Sequence, residues 1–194
     1  MIRVVAIALL VVSPLFPLSG CGGTSTATPS STAQTPSAAP DPSLVLAQEP
    51  AGAKTVAEVR EKGKEGEEVV VAGWIGGSEA PIIKGRAAFT MVDLQLPPPE
   101  CTTKPYSYCC MAKEALLPNL IMVKFVDGDG KTILKDTHEL LGIKEGCIVV
   151  VRGHLECSED GTVNSIVASA LFDRGYSDNP LKVKALDTGF QPSK

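Results

Sequence analysis

Val69-Val70-Val71-Ala72-Gly73-Trp74-Ile75 is the stretch on which the fold turns. Three consecutive β-branched residues lose χ1 freedom in a helix and pack well on a pleated surface. The run is bounded by Gly63 and Gly66 on one side and Gly76-Gly77 on the other, so Glu67 to Ile75 reads as a first strand. Just upstream, Thr55-Val56-Ala57-Glu58-Val59-Arg60 predicts a short helix. Thr55 stands at the N-cap position and Glu58 completes a capping box three residues on.

Downstream, Ala87 to Leu96 predicts a second strand. Ala88, Thr90, Val92, Leu94 and Leu96 share one face, and Phe89, Met91, Asp93 and Gln95 the other. Pro97-Pro98-Pro99 ends it, because proline offers no N–H to a ladder. Leu120 to Val126 is a third strand, closed by the turn-former Asp127-Gly128-Asp129-Gly130. That turn begins like a calcium loop, but Lys131 and His138 occupy positions where ligands belong. Thr137 to Leu141 is a short helical turn stopped by Gly142. Cys147 to Leu155 is a fourth strand around Ile148-Val149-Val150-Val151, Ser158-Glu159-Asp160-Gly161 a hairpin turn, and Thr162 to Phe172 a fifth strand.

Five strands with little helix predict an all-β barrel, and here the chain resembles a family. Val69 to Ile75 is similar to the opening strand of OB-folds of the tRNA-anticodon-binding type. Lys84-Gly85-Arg86-Ala87-Ala88-Phe89-Thr90-Met91-Val92-Asp93 resembles their second strand. Leu141 to Gly146, followed by Val149-Val150-Val151-Arg152-Gly153, looks like the start of their fourth. The resemblance covers most of residues 54–174. It implies a five-stranded OB-fold-like barrel with a short helix between strands three and four. It also implies a ligand face on strands two and three, where Lys84, Arg86, Phe89, Lys124 and Phe125 are the candidates. Single-strand binders of this fold combine stacking aromatics with a positive groove. The chain departs from the family by a Pro- and Cys-rich insertion, Pro97 to Asn119.

The N-terminus carries a second resemblance. Arg3 precedes an apolar stretch, Val4 to Leu18, broken by Pro14 and Pro17, and then comes Leu18-Ser19-Gly20-Cys21. A membrane-spanning helix needs about 20 apolar residues, so this stretch is too short and too Pro-broken to be one. It resembles the lipobox signal of bacterial lipoproteins, which implies cleavage before Cys21 and a diacylglycerol on its thiol, with a further fatty acyl group such as palmitate. The expected residence is the bacterial cell envelope, lipid-anchored either on the periplasmic side of an outer membrane or on the outer face of the cytoplasmic membrane. Gly22, where an inner-membrane retention signal would have aspartate, points to the former.

The organisation follows. Residues 1–20 are a signal peptide and 21–53 a lipidated cysteine with a disordered Ser/Thr/Pro/Ala tether, too poor in apolar surface to offset its ordering entropy. Residues 54–174 form the barrel domain and 175–194 a polar tail. The net charge of −4 disfavours a polyanionic partner, so nucleic acid is not among the expected ones. The charged run Glu61 to Glu68 reads as a solvated helix end and loop.

Six cysteines include Cys21. Of the other five, Cys101, Cys109 and Cys110 fall in the insertion, and export permits disulfides. Closing the loop from Cys101 to either Cys109 or Cys110 would remove about 2–3 kcal/mol of unfolded-chain freedom, and both pairings stay open. Cys147 and Cys157 share parity with Val149, Val151 and Leu155. They are about 33 Å apart along an extended strand and so do not pair with each other. They are buried free thiols, or one bridges back to the insertion. A Cys3His metal set with His138 or His154 lacks the usual Cys-x2–4-Cys knuckle, and both histidines read as surface residues. The sequence-level conclusion is a non-enzymatic binding or scaffolding module with no cofactor and no metal. Its expected partners are the membrane, through its lipid, and an unknown protein, glycan or small ligand. Single-stranded oligonucleotide binding and a metal or thiol redox site in the insertion are the alternatives.

Overall fold

The computed structural model describes residues 40–98, 104–179 and 181. The signal segment, Cys21, most of the tether, Cys101 and most of the C-terminal tail lie outside the described residues. Helix α1 (Val56–Lys62) opens the barrel domain, with both halves of the expected capping box in place: Glu58 N–H donates to Thr55 Oγ1, and Thr55 N–H to the Glu58 carboxylate. Strands β1 (Glu68–Ile75), β2 (Ala88–Val92), β3 (Leu120–Phe125), β4 (Cys147–Cys157) and β5 (Val163–Tyr176) close into a five-stranded barrel in the order β1-β2-β3-β5-β4. β3 and β5 run parallel and every other pair antiparallel. Helix α3 (Thr137–Leu141) lies between β3 and β4, as the OB-fold-like pattern implies, and ends on Gly142 in the left-handed conformation at φ +74°. A further turn of helix, α2 (Lys113–Leu116), lies in the insertion.

The barrel interior is filled by alternate residues of all five strands. Val69, Val71 and Ile75 from β1, Phe89 and Met91 from β2, and Ile121, Val123 and Phe125 from β3 meet Val149, Val151 and Leu155 from β4 and Ile166, Ala168 and Leu171 from β5. Val56 and Val59 of α1 and Leu140 and Leu141 of α3 plug its ends. At Gly153 the strands approach so closely that a Cβ would lie 2.2 Å from Val167 O and 2.8 Å from Ala168 Cα. The β4–β5 register shifts there, between Arg152 and Gly153.

Four sequence-level boundaries move. β2 stops at Val92 rather than Leu96, because the buried Asp93 turns the chain. Its carboxylate accepts from Ala57 N–H at the start of α1 (2.8 Å) and from Gln95 N–H (2.7 Å). β4 runs on to Cys157 and β5 to Tyr176, so the barrel extends past residue 174. The ordered chain also begins before Lys54. Leu46 N–H donates to Leu171 O and Leu171 N–H to Leu44 O, while Lys54 exchanges bonds with Val70 O and Ala72 N–H. β1 meets β2 only through Trp74 and Ile75, and β5 meets β3 only through residues 165–168. The arm of residues 41–54 therefore occupies the stretches of β1 and β5 edge that β2 and β3 leave open. An ion pair from Glu49 to Arg174 adds to it.

Candidate functional site

The insertion is a folded cover. Trp74, on the outward face of β1, is fully buried beneath it. Its indole N–H is shared between Gly146 O (2.8 Å) and Ser177 O (3.2 Å). Tyr108 of the insertion meets Trp74 edge-to-face at a centroid distance of 6.0 Å, and its hydroxyl donates to Leu96 O. Tyr108 adopts φ +53°, a left-handed conformation uncommon for a side chain of its size, which turns its ring onto Trp74. Val92, Leu116 and Ile148 complete this second core, with Leu94, Leu96, Tyr106, Met111 and Leu120 around it. The alternation read in β2 thus holds through Val92, with Phe89 and Met91 in the barrel, Val92 under the insertion and Thr90 half-buried on the outward face. Burial, with the Asp93 charge nearby, pushes the Tyr108 phenol well above its ordinary range.

Beside the cover, an outward face of β2, β3, β5 and β4 stays open. The register aligns Thr90, Met122, Ser165 and Glu156 in one row, and Ala88, Lys124, Val167 and His154 in the next. Met122 is exposed and Lys124 half-buried. Lys124 pairs with Glu156, whose carboxylate also accepts from Ser165 Oγ (2.7 Å). Burial alone would raise the Glu156 carboxyl, but those two partners hold it below its usual range.

The five expected ligand-face residues are not brought together. Phe89 and Phe125 are fully buried in the barrel core, so neither can stack on a ligand. Strand parity decides this: their neighbours Thr90 and Lys124 take the outward positions. Lys84 and Arg86 are exposed in the β1–β2 loop, and Lys124 is neutralised by Glu156 on the strand face. An extended positive groove with aromatic platforms is therefore not formed by these residues.

Cys109 is an exposed free thiol, with its sulfur 3.7 Å from that of Cys110. Cys147 is buried in the barrel core and Cys157 packs half-buried against it, both as free thiols, so neither bridges to the insertion. Burial pushes both thiols up, and at Cys157 the Glu65 carboxylate adds to the effect, which leaves them poor nucleophiles at neutral pH. Among the described residues, no three His, Cys, Asp or Glu side chains group as a metal site. His138 and His154 are exposed. Asp127 to Gly130 is a turn: Asp127 Oδ1 accepts from Asp129 and Lys131 N–H.

Sequence reasoning missed Asp93, Trp74 and Tyr108. A single aspartate at the end of a strand and a tyrosine inside a polar loop carry no periodic signal, because their roles arise from contacts with elements distant in sequence. No family model, curated protein or solved structure matches the chain.

Proposed function

We propose that this chain is a lipid-anchored, exported, non-catalytic binding module of the cell envelope, built on an OB-fold. The observation that carries the reading is the order Leu18-Ser19-Gly20-Cys21 after a positively charged, apolar leader. The ligand surface is the outward face of Thr90, Met122, Lys124 and Val167 beside the insertion. Its mixture of an exposed methionine, hydroxyls and an internally compensated charge pair suits a protein or a glycan better than a polyanion. The insertion is a rigid wall of that site, stapled by a disulfide between Cys101 and Cys110. One observation favours this pairing: Cys109, Cys147 and Cys157 are free among the described residues.

The test is the intact mass of the mature chain purified from its membrane. Cleavage before Cys21 with added diacylglycerol and acyl mass supports the reading. A Cys21→Ser chain should keep its leader and carry no lipid. A mature chain with an unmodified Cys21 overturns it. The oligonucleotide alternative is addressed by titrating a labelled single strand at low and physiological salt. The proposal expects no steeply salt-dependent binding, because the face lacks the several free cations from which such a slope arises.

A further inference from the structure

We infer that the loop of residues 131–135 is a membrane-contacting tip, with Leu134 entering the interface of the same bilayer that holds the lipid on Cys21. The inference rests on the anchor reading above. Leu134 is 78% exposed, the most exposed of the large apolar side chains among the described residues. It sits between Lys131 and Lys135, whose long side chains can hold an apolar stem at the interface and the ammonium in the headgroups. Neither lysine forms an ion pair among the described residues.

The leucine is presented by a fixed backbone. Ile133 N–H donates to Phe125 O (3.0 Å), Ala87 N–H donates to Ile133 O (2.9 Å), and the Ile133 side chain packs on the barrel core. A leucine left outside such an anchored turn keeps its apolar surface in water, which is unfavourable relative to burial, unless something covers it. The bond from Ala87 to Ile133 brings the β1–β2 loop, with Lys84 and Arg86, against this turn. The nearby Asp136 accepts from Gly85 N–H (2.7 Å), and Asp127 is occupied by its own turn amides.

The tether says which surface covers it. The described chain enters at the same end of the barrel: Asp41 N–H donates to Leu140 O (2.8 Å), and Lys135 helps to lower the Asp41 carboxyl, after its hydrogen bonds from Ser43. Eighteen residues separate Cys21 from Pro40. Eighteen residues reach at most about 65 Å even when fully extended. A lipid on Cys21 therefore holds this end of the barrel near the bilayer at high effective concentration, where insertion of one leucine, too weak to recruit a free protein, becomes a populated contact. Exposed acids Asp129 and Glu139 share this end, so the contact is mainly apolar and depends little on anionic lipid.

The experiment uses acylated full chain, its lipid verified by mass, reconstituted in phosphatidylcholine vesicles containing lipids brominated along the acyl chain. Trp74 is the only tryptophan and is fully buried, so a new one dominates the quenching signal. Leu134→Trp is compared with Glu159→Trp, an equal addition in the exposed β4–β5 hairpin at the other end of the barrel. The expected result is at least about twofold stronger quenching at 134 than at 159, with little change when a third of the lipid is made anionic. Equal quenching, or stronger quenching at 159, on acylated protein overturns the docking tip and leaves the anchor reading intact. A chain whose mass shows no lipid overturns both.

Discussion

Trp74 gathers three separate stretches of chain with one side chain: Gly146 and Ser177 through its N–H, and Tyr108 through its ring. Trp74→Phe removes the shared donor and part of the buried volume together. The loss expected from a chemical-denaturation midpoint is about 2–4 kcal/mol. Tyr108 supplies a pH signature. Its folded-state ionisation is pushed up by burial first and by Asp93 second, so the unfolded chain gives up the phenolic proton at lower pH than the folded one. The associated stability is complete below the ordinary tyrosine range, near pH 10, and is lost as the pH rises beyond it. Thermal melts of wild type should therefore fall more steeply above that pH than those of Tyr108→Phe. The variant itself should be less stable at neutral pH, having lost its bond to Leu96 O. Equal alkaline slopes would contradict the assignment.

At the level of elements, helix α1 was legible because its signal is local: Thr55 and Glu58 lie three residues apart and satisfy each other's backbone. Thr55→Ala should cost about 1 kcal/mol in an equilibrium melt. The end of β2 was not legible. Asp93 stops the strand by binding the amide of Ala57, a contact across 36 residues that no window of sequence contains. Cys147 was readable as interior by its parity with Val149 and Val151, whereas parity divided the residues of β2 between two faces without showing that Phe89 is on the inner one. Parity could not, however, tell an outward position under the insertion, such as Val92, from one left in solvent, such as Met122. Gly153 belongs at this scale too. Gly153→Ala drives a methyl into the β5 backbone, which cannot yield as a side chain can, so the expected cost exceeds about 2 kcal/mol and far outweighs the usual gain from replacing glycine in a strand.

For the molecule as a whole, the arm of residues 41–54 sets how completely the barrel is closed. Deleting the chain up to Pro50 removes the bonds of Leu44 and Leu46 to Leu171 and the Glu49–Arg174 pair. A loss of about 2–4 kcal/mol is expected, from three backbone bonds, the one from Asp41 to Leu140 O included, and the packed Leu44 and Val45 side chains. The bared edge of β5 should also make self-association concentration-dependent, which sedimentation would reveal. A truncated chain as stable and monomeric as the full one would show the arm to be a passive strap.

Composition and short-range pattern determined that this chain builds an all-β barrel, where helices α1 and α3 fall, and how strand residues divide between two faces. Those properties follow from the two-residue period of a strand and from caps whose partners are near in sequence. Tertiary structure alone decided that the Cys-rich insertion is a packed cover on Trp74, that the arm takes up two open strand edges, and that Lys124 is spent on Glu156. Each depends on side chains brought together by barrel closure, and closure joins residues whose spacing in the sequence has no period to read.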